Sequence, residues 1–308
     1  MKVFIAWNIV PEDPRYWKYF EPHGIMISFS SSKYRNIRKK LESIFTMGIH
    51  EWLEYKGFII MDSQIAPISV SAEYAHALHP RNKFLHIYYL QRYARPNKIV
   101  HKDYPLVRSD VPEDLKWKLL RKTVKNAELL RKFLEKKGVN DKEVIYVIQG
   151  WDKKSLEWCC KQYVNMGIRN YAIGSMKHLS FRNKDEIIHR IEFVREIIGK
   201  RAKLHVLGVA NTKLLPILKK YVDTLDTSSP IRAAMFNEIY YIDDKSNRLR
   251  RTKITNISED DVKHYLPAKL YAMFVNLCEN IENLKKSIIK RKLAIINAYT
   301  LTRYVSLL

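Results

Sequence analysis

Through its first 240 or so residues the chain alternates short apolar runs with amphipathic helical stretches, and few folds satisfy that rhythm. The apolar runs begin near residues 24, 57, 98, 144, 170, 204, 222 and 238. The clearest carries Val144, Ile145, Val147 and Ile148 and ends at Gln149 and Gly150. The run at 57–62 is unbroken behind Gly57, as expected of a strand buried on both faces. Helices are expected over 33–55, 112–137, 155–166, 184–199 and 212–221. Over 112–137, Leu115, Leu119, Val124, Leu129, Leu130 and Leu134 recur at helical spacing and Gly138 closes the helix. In residues 71–94, Phe84, Ile87, Tyr88 and Leu90 fit a helix face or a strand, with helix the preferred reading up to Pro96. Strand–helix alternation gives a parallel sheet with crossover helices. Eight strands is the number that closes a (β/α)8 TIM-like barrel. No glycine-rich phosphate fingerprint follows any run, which argues against a dinucleotide-binding Rossmann domain.

The last 65 residues change character. Residues 243–253 read as a basic hairpin or loop, Ser258 and Asp261 fit a capping box, and helices follow. The expected division is a barrel over 1–242 and a basic, mainly helical C-terminal extension over 243–308. Basic residues cluster at Lys33, Arg35, Arg38, Lys39 and Lys40 and again at Lys285, Lys286, Lys290, Arg291 and Lys292. The chain carries 55 Lys and Arg against 32 Asp and Glu, a net charge of +23, which points to a polyanionic partner. Nucleic acid comes first and an anionic membrane surface second. No stretch of about 18 apolar residues offers a membrane span. The opening apolar run, broken at Pro11 and Pro14, is too short for a signal peptide. Three cysteines, two of them adjacent at Cys159 and Cys160, make no disulfide framework. A cytoplasmic protein is expected, and a homodimer is left open.

Polar groups gather where the strands end. Asp62, Asp103, Gln149, Gly174, Gly208 and Asp226 all fall at or just past the C-terminal ends of expected strands, which converge on one mouth in a barrel. Taken singly, each has a bland alternative as a helix cap or loop residue. Together they supply what reading a nucleobase needs: carboxylates accept from amino and ring N–H groups, and an amide both donates and accepts. Glycine lets a flat ring approach the backbone. Two carboxylates of distinct role also suit displacement at a glycosidic carbon, one as nucleophile and one handling a proton. His101 and His205 stand beside these residues and read as satisfied strand histidines.

Three segments carry a resemblance. They are Met61-Asp62-Ser63; Ile148-Gln149-Gly150 with Tyr171-Ala172-Ile173-Gly174-Ser175; and Leu207-Gly208-Val209 with Val222-Asp223, Asp226 and Pro230-Ile231-Arg232. Their order and rough spacing, from about residue 24 to 240, resemble the tRNA-guanine transglycosylase superfamily, including its DNA-modifying branch that inserts 7-deazaguanine bases. The resemblance implies a pentosyltransferase. Asp226 would be the nucleophile that forms a covalent glycosyl-enzyme and Asp62 the general acid/base. Ser63, Asp103, Gln149, Gly150, Gly174, Ser175, Leu207 and Gly208 would form the base pocket. Arg232 would lie near the phosphodiester. Arg248, Arg250 and Arg251 belong to the basic segment expected to hold phosphates without reading sequence.

The departures shape the reading. After Ser63 the family has glycines and an aromatic that stacks on the base, where this chain has Gln64, Ile65, Ala66 and Pro67. Ser175 stands for a second glycine. The tRNA enzymes carry a Cys-x-Cys-x-x-Cys…His zinc site after the nucleophile segment, but Cys278 is the only cysteine beyond residue 160. The RNA-binding C-terminal domain of the archaeal enzymes is not recognisable. The expected function is therefore exchange of guanine for a free 7-deazaguanine base in DNA, with the target base unstacked. Alternatives are the same exchange on tRNA, a non-catalytic nucleic-acid-binding subunit, and a hydrolase without base exchange. No cofactor and no metal are expected. Elemental analysis of purified protein should find no stoichiometric zinc, and one zinc per chain would contradict the reading of the cysteines.

Overall fold

A computed structural model of the chain describes residues 1–9, 12–28, 37–63, 84–106, 111–139, 141–176, 183–209 and 211–308. Eight parallel strands close a barrel in sequence order: β1 (Lys2–Asn8), β2 (Ile25–Ser28), β3 (Ile59–Met61), β4 (Lys98–Val100), β5 (Val144–Ile148), β6 (Asn170–Ile173), β7 (Lys203–Val206) and β8 (Thr224–Thr227). The (β/α)8 expectation holds, and one strand of it is corrected. The expected eighth strand, near 238, is not in the barrel. Glu238–Asp243 (β9) pairs antiparallel with Arg248–Lys253 (β10) in a separate hairpin, from Glu238↔Lys253 to Asp243↔Arg248. The missing barrel strand is β1, at the chain's start, parallel to β8 through Lys2↔Thr224 and to β2 through Ile5↔Ile25. Both segments are apolar and β-prone, and only their partners distinguish them.

Alternation along the strands sorts the residues into two layers. Phe4, Met26, Ile60, Val100, Ile145, Val147 and Ala172 fill the barrel interior. Their neighbours Val3, Ile5, Ile25, Ile59, Ile99, Tyr146 and Ile173 pack outward against the helices. Helices expected from periodicity are present at Ile37–Met47 (α1), Phe84–Ala94 (α3), Glu113–Lys136 (α4), Lys153–Asn165 (α5) and Lys184–Ile198 (α6), with the short Ile49–Leu53 (α2) beside α1. The region expected as helix over 212–221 holds a 3-10 turn at Thr212–Leu214 that runs into the short Leu215–Leu218 (α7), and Ser229–Met235 (α8) follows β8 directly. Asp152 caps α5, accepting from Ser155 N–H at 2.7 Å while the Ser155 hydroxyl accepts from Asp152 N–H. Lys33, Arg35 and residues 64–67 lie outside the described residues.

Beyond β10 come Asp260–Lys263 (α9), Ala268–Asn280 (α10) and Lys286–Leu307 (α11). The α9 start pairs the two expected residues: Ser258 N–H and hydroxyl both donate to Asp261 Oδ2, at 2.9 and 2.7 Å, and Asp261 N–H donates back to the Ser258 hydroxyl at 3.4 Å. The basic residues of the last helix are concentrated in its first turns, with Arg303 exposed near its end. From Ile289 to Val305 it is buried on most sides, packing against β1, α8 and β9. Such a helix belongs to a core rather than to a solvated surface. It takes the outer position beside β8 and β1 that the short α8 cannot fill. Asn297, wholly buried, fastens it there. Its Oδ1 accepts from Tyr240 N–H at 2.7 Å, and its Nδ2 donates to the carbonyls of Glu238 at 2.9 Å and Pro230 at 3.2 Å.

A second buried polar group completes the β4–β5 edge. These strands share the register pairs Ile99↔Val144 and Val100↔Ile145. Beyond them the His101 ring continues the ladder: Nδ1 accepts from Val147 N–H at 3.0 Å, and Nε2 faces the Thr123 carbonyl at 3.4 Å. The Tyr163 hydroxyl takes up the Val147 carbonyl at 3.0 Å. A ring that accepts at Nδ1 and donates at Nε2 is neutral. Burial enforces this, holding the imidazole down to about 4 against the opposite pull of Asp103. His101 is a structural histidine.

Two outcomes follow from these buried polar groups. Asn297→Ala leaves one N–H and two carbonyls without their partner and should lower stability by about 2–4 kcal/mol in urea unfolding. His101 makes stability rise with pH. Between about pH 6.5 and 4 the unfolded chain takes up a proton that the folded one refuses, so stability present above pH 6.5 is lost as pH falls, by about 3 kcal/mol. His101→Gln, which can keep both hydrogen bonds, should lack that component. The difference between the two proteins across this range isolates it, because shared groups such as Asp13, which burial raises to about 6, cancel.

Candidate active site

The C-terminal strand ends carry the polar residues to one face of the barrel, as the βα connectivity requires. Asp62 follows β3, Asp103 stands three residues past β4, Gln149 and Gly150 follow β5, and Gly174 and Ser175 follow β6. Leu207 and Gly208 follow β7, and Asp226 sits within β8. Hydrogen bonds tie part of this set into two groups, one on β7 and β8 and the other at the ends of β3 to β6.

The first group is centred on Asp226. On β7 and β8 the outward positions are Leu204, Val206 and Leu225. Alternation therefore turns His205, Thr224 and Asp226 inward, where the His205 ring meets the edge of Phe4 at 6.1 Å. Asp226 Oδ1 accepts from Gly208 N–H at 2.9 Å and lies 3.2 Å from His205 Nε2. His205 Nδ1 is 2.8 Å from the Thr224 hydroxyl. The backbone adds a further tie, Val209 N–H to the Asp226 carbonyl at 3.0 Å. Gly208 has a left-handed backbone, φ +70°, which aims its N–H at the carboxylate, and a Cβ there would be strained. Leu207 packs on the inner core.

The second group runs through four side chains. The Ser63 hydroxyl donates to Asp103 Oδ1 at 3.2 Å, and Gln149 Nε2 donates to Asp103 Oδ2 at 2.6 Å. The Ser175 hydroxyl donates to Gln149 Oε1 at 2.5 Å and accepts from Leu106 N–H at 2.9 Å. Asp103 and Gln149 have no exposed surface at all. Both carboxylate oxygens of Asp103 are met by donors, as a buried carboxylate requires. Ser175 sits at φ +62°, unusual for a residue with a Cβ. Its hydroxyl, bridging Gln149 and Leu106, is what that conformation secures.

The glycines divide by role. A Cβ on Gly174 would stand 2.3 Å from Gln149 Nε2, so the space left at Gly174 is occupied by the Gln149 amide. A Cβ on Gly150 would meet Leu156 at 2.7 Å, so that glycine serves packing at the start of α5. Asp62 is partly exposed. Its Oδ1 accepts from Ser63 N–H at 2.7 Å, and its own N–H donates to the Ile27 carbonyl at 2.7 Å. Asp62 and Asp226 are separated in the barrel by β1 and β2.

The arginines lie elsewhere. Arg232 is exposed on α8, and Arg248, Arg250 and Arg251 are exposed on β10. Arg250 pairs with Asp243 at 2.7 Å and Arg251 with Glu238 at 3.3 Å, across the hairpin. Sequence reasoning passed over two features. His205 was legible only as a strand histidine, and its line to Asp226 needed the register His205↔Thr224. A cavity of about 440 Å³ lies between the segment after β1 and the start of α11, lined by Arg15, Lys18, Arg291 and Lys292 over Met273 and Ile295. The basic cluster at 285–292 supplies Arg291 and Lys292, whereas Arg15 and Lys18, with Glu12 beside them, come from a segment that the sequence did not single out.

No helix among the described residues is long and apolar enough to cross a membrane. No curated protein matches the chain. The family model of queuine tRNA-ribosyltransferase matches residues 24–266, from the start of β2 through the β9–β10 hairpin to α9. That span takes in the Asp226 group and the Asp103 group alike, and the chain belongs to the queuine tRNA-ribosyltransferase (TGT) family of base-exchanging pentosyltransferases.

Proposed function

We propose that the protein is a cytoplasmic transglycosylase that exchanges guanine for a 7-deazaguanine base in DNA through a glycosyl ester on Asp226. The observation that carries this reading is the hold on Asp226. Gly208 N–H and His205 both meet Oδ1, so the carboxylate is fixed with one oxygen engaged. A fixed carboxylate at a barrel mouth is pre-organised for attack. An Asp226 oxygen bonds to C1′ of the target guanosine, the C1′–N9 bond breaks, and its electron pair leaves with guanine, which takes a proton. Asp62 then removes the N9 proton of the incoming base. That nitrogen bonds to C1′, and the Asp226 carboxylate departs with the ester electrons.

The Asp103 group would read the base. An amidine edge entering the pocket would donate to Asp103 in place of Ser63 or Gln149, and the freed Gln149 amide would donate to a ring carbonyl. Buried hydrogen bonds are exchanged rather than lost. A base lacking the amidine would leave a buried carboxylate unpaired, which is the strongest form of discrimination a pocket offers. The strand would be held by phosphate contacts. Arg250 and Arg251 pair with acids in exposed ion pairs worth about 0–1 kcal/mol, so a phosphate can displace either acid. Arg232, Arg248 and the cationic cavity beside α11 extend the same field.

DNA is preferred because the cysteine pattern of the tRNA enzymes is missing beyond residue 160. By the same cysteine argument the chain works without a structural zinc. The family's own description favours the second reading, exchange on tRNA. Incubation with DNA and with tRNA carrying labelled guanine, plus a 7-deazaguanine base, should release label from DNA. Release from tRNA alone would select the second reading. No release from either, by protein that binds them, would leave a non-catalytic binding subunit. Asp226→Ala should bind nucleic acid and form no covalent adduct.

A further inference from the structure

We infer that His205 is a positioning residue for Asp226, its ring anchored at the far nitrogen by Thr224; this rests on the reading of Asp226 as nucleophile. His205 is 2% exposed and stands directly opposite Thr224 in the β7–β8 register. Thr224 and Asp226 are two residues apart on one face of β8, so a single ring on β7 reaches both, at 2.8 and 3.2 Å.

The donor and acceptor inventory fixes the tautomer. A carboxylate oxygen only accepts, so the ring nitrogen facing Asp226 must carry hydrogen. Nε2–H therefore donates to Oδ1. A threonine hydroxyl can donate or accept, so Thr224 donates to Nδ1 of the neutral ring or accepts from it in the imidazolium. Nε2 carries hydrogen in both cases.

The consequence is an asymmetric carboxylate. Oδ1 receives two donors, one from backbone and one from the ring, and among the described residues no hydrogen bond reaches Oδ2. Two donors on one oxygen lock the rotation of the carboxylate and direct the other oxygen to bond formation. In the glycosyl ester Oδ1 becomes the carbonyl oxygen. The same two donors then stabilise the negative charge that returns to it as C1′ is transferred to the incoming base. His205 moves no proton in this scheme. Its work is orientation and charge stabilisation, on a barrel element rather than a loop.

The test separates this role from a purely structural one and from the function itself. His205→Phe keeps the ring's bulk against Phe4 and removes the donor. It should keep the thermal midpoint and KM while lowering kcat by about 100-fold; Thr224→Val should lower kcat by about tenfold, and Thr224→Ser should recover most of that loss. A folded His205→Phe protein turning over within twofold of wild type overturns the proposal. Imidazole ¹⁵N resonances of the wild-type protein decide the tautomer without any substrate. Hydrogen on Nε2 supports the proposal, and a neutral ring with hydrogen on Nδ1 overturns it. Should wild type exchange no base, the function reading fails while the tautomer result still decides whether His205 holds Asp226. Should His205→Phe not fold, the Thr224 pair and the resonances carry the decision.

Discussion

The barrel closes where β1 lies parallel to β8, with Lys2 N–H donating to the Asp223 carbonyl at 2.9 Å and the ladder running from Lys2↔Thr224 to Ile5↔Thr227. Parallel strands need cover on both faces. Inside, Phe4 supplies it; outside, α11 does, drawn from the far end of the chain. The closure therefore depends on the first strand and the last helix meeting. Asn297 fixes the last helix for that meeting by tying it to β9 and α8, through three hydrogen bonds that have no substitute in an apolar setting. The family match spans 24–266 and leaves out both closing elements. The segment that carries the chemistry is held shut by the two that flank it.

The same seam explains why the candidate nucleophile is so well held. Across most of the barrel the inward positions are apolar, but at β7 and β8 they are His205, Thr224 and Asp226. A buried carboxylate is costly unless its oxygens find donors. Here the donors come from the neighbouring strand and its outgoing turn, both rigidly placed by the ladder. Across the mouth the Asp103 group solves the same problem with side chains alone, passing hydrogen bonds from Ser63 to Ser175 through Asp103 and Gln149. The two solutions differ in stiffness. One leans on backbone and cannot rearrange without breaking strand pairing. The other can exchange partners one for one, which suits recognition.

Two histidines that looked alike in the sequence have separate fates for reasons of register. Both follow apolar strand residues, and both are buried. His101 turns outward, accepts a ladder N–H and is forced neutral by desolvation. His205 turns inward and meets a carboxylate. Strand periodicity predicts that a residue is on one face or the other. Which face is core and which is mouth depends on where the strand starts, and β3, β4, β6, β7 and β8 are only three or four residues long.

Local sequence determined the strand–helix alternation and the polar strand ends, because each is written in short-range hydrophobic pattern and in residue chemistry. The motif around Asp226, Pro230 and Arg232 carried the family. Tertiary structure alone decided which eight strands make the barrel, since Glu238–Asp243 and Lys2–Asn8 are both β-prone and their partners tell them apart. It likewise decided that the basic tail is mostly wall, that Gly174 makes room for Gln149, and that His205 reaches Asp226. Each of these is a contact between residues distant along the chain. Its free energy appears only once the ladder has fixed which side chains face each other.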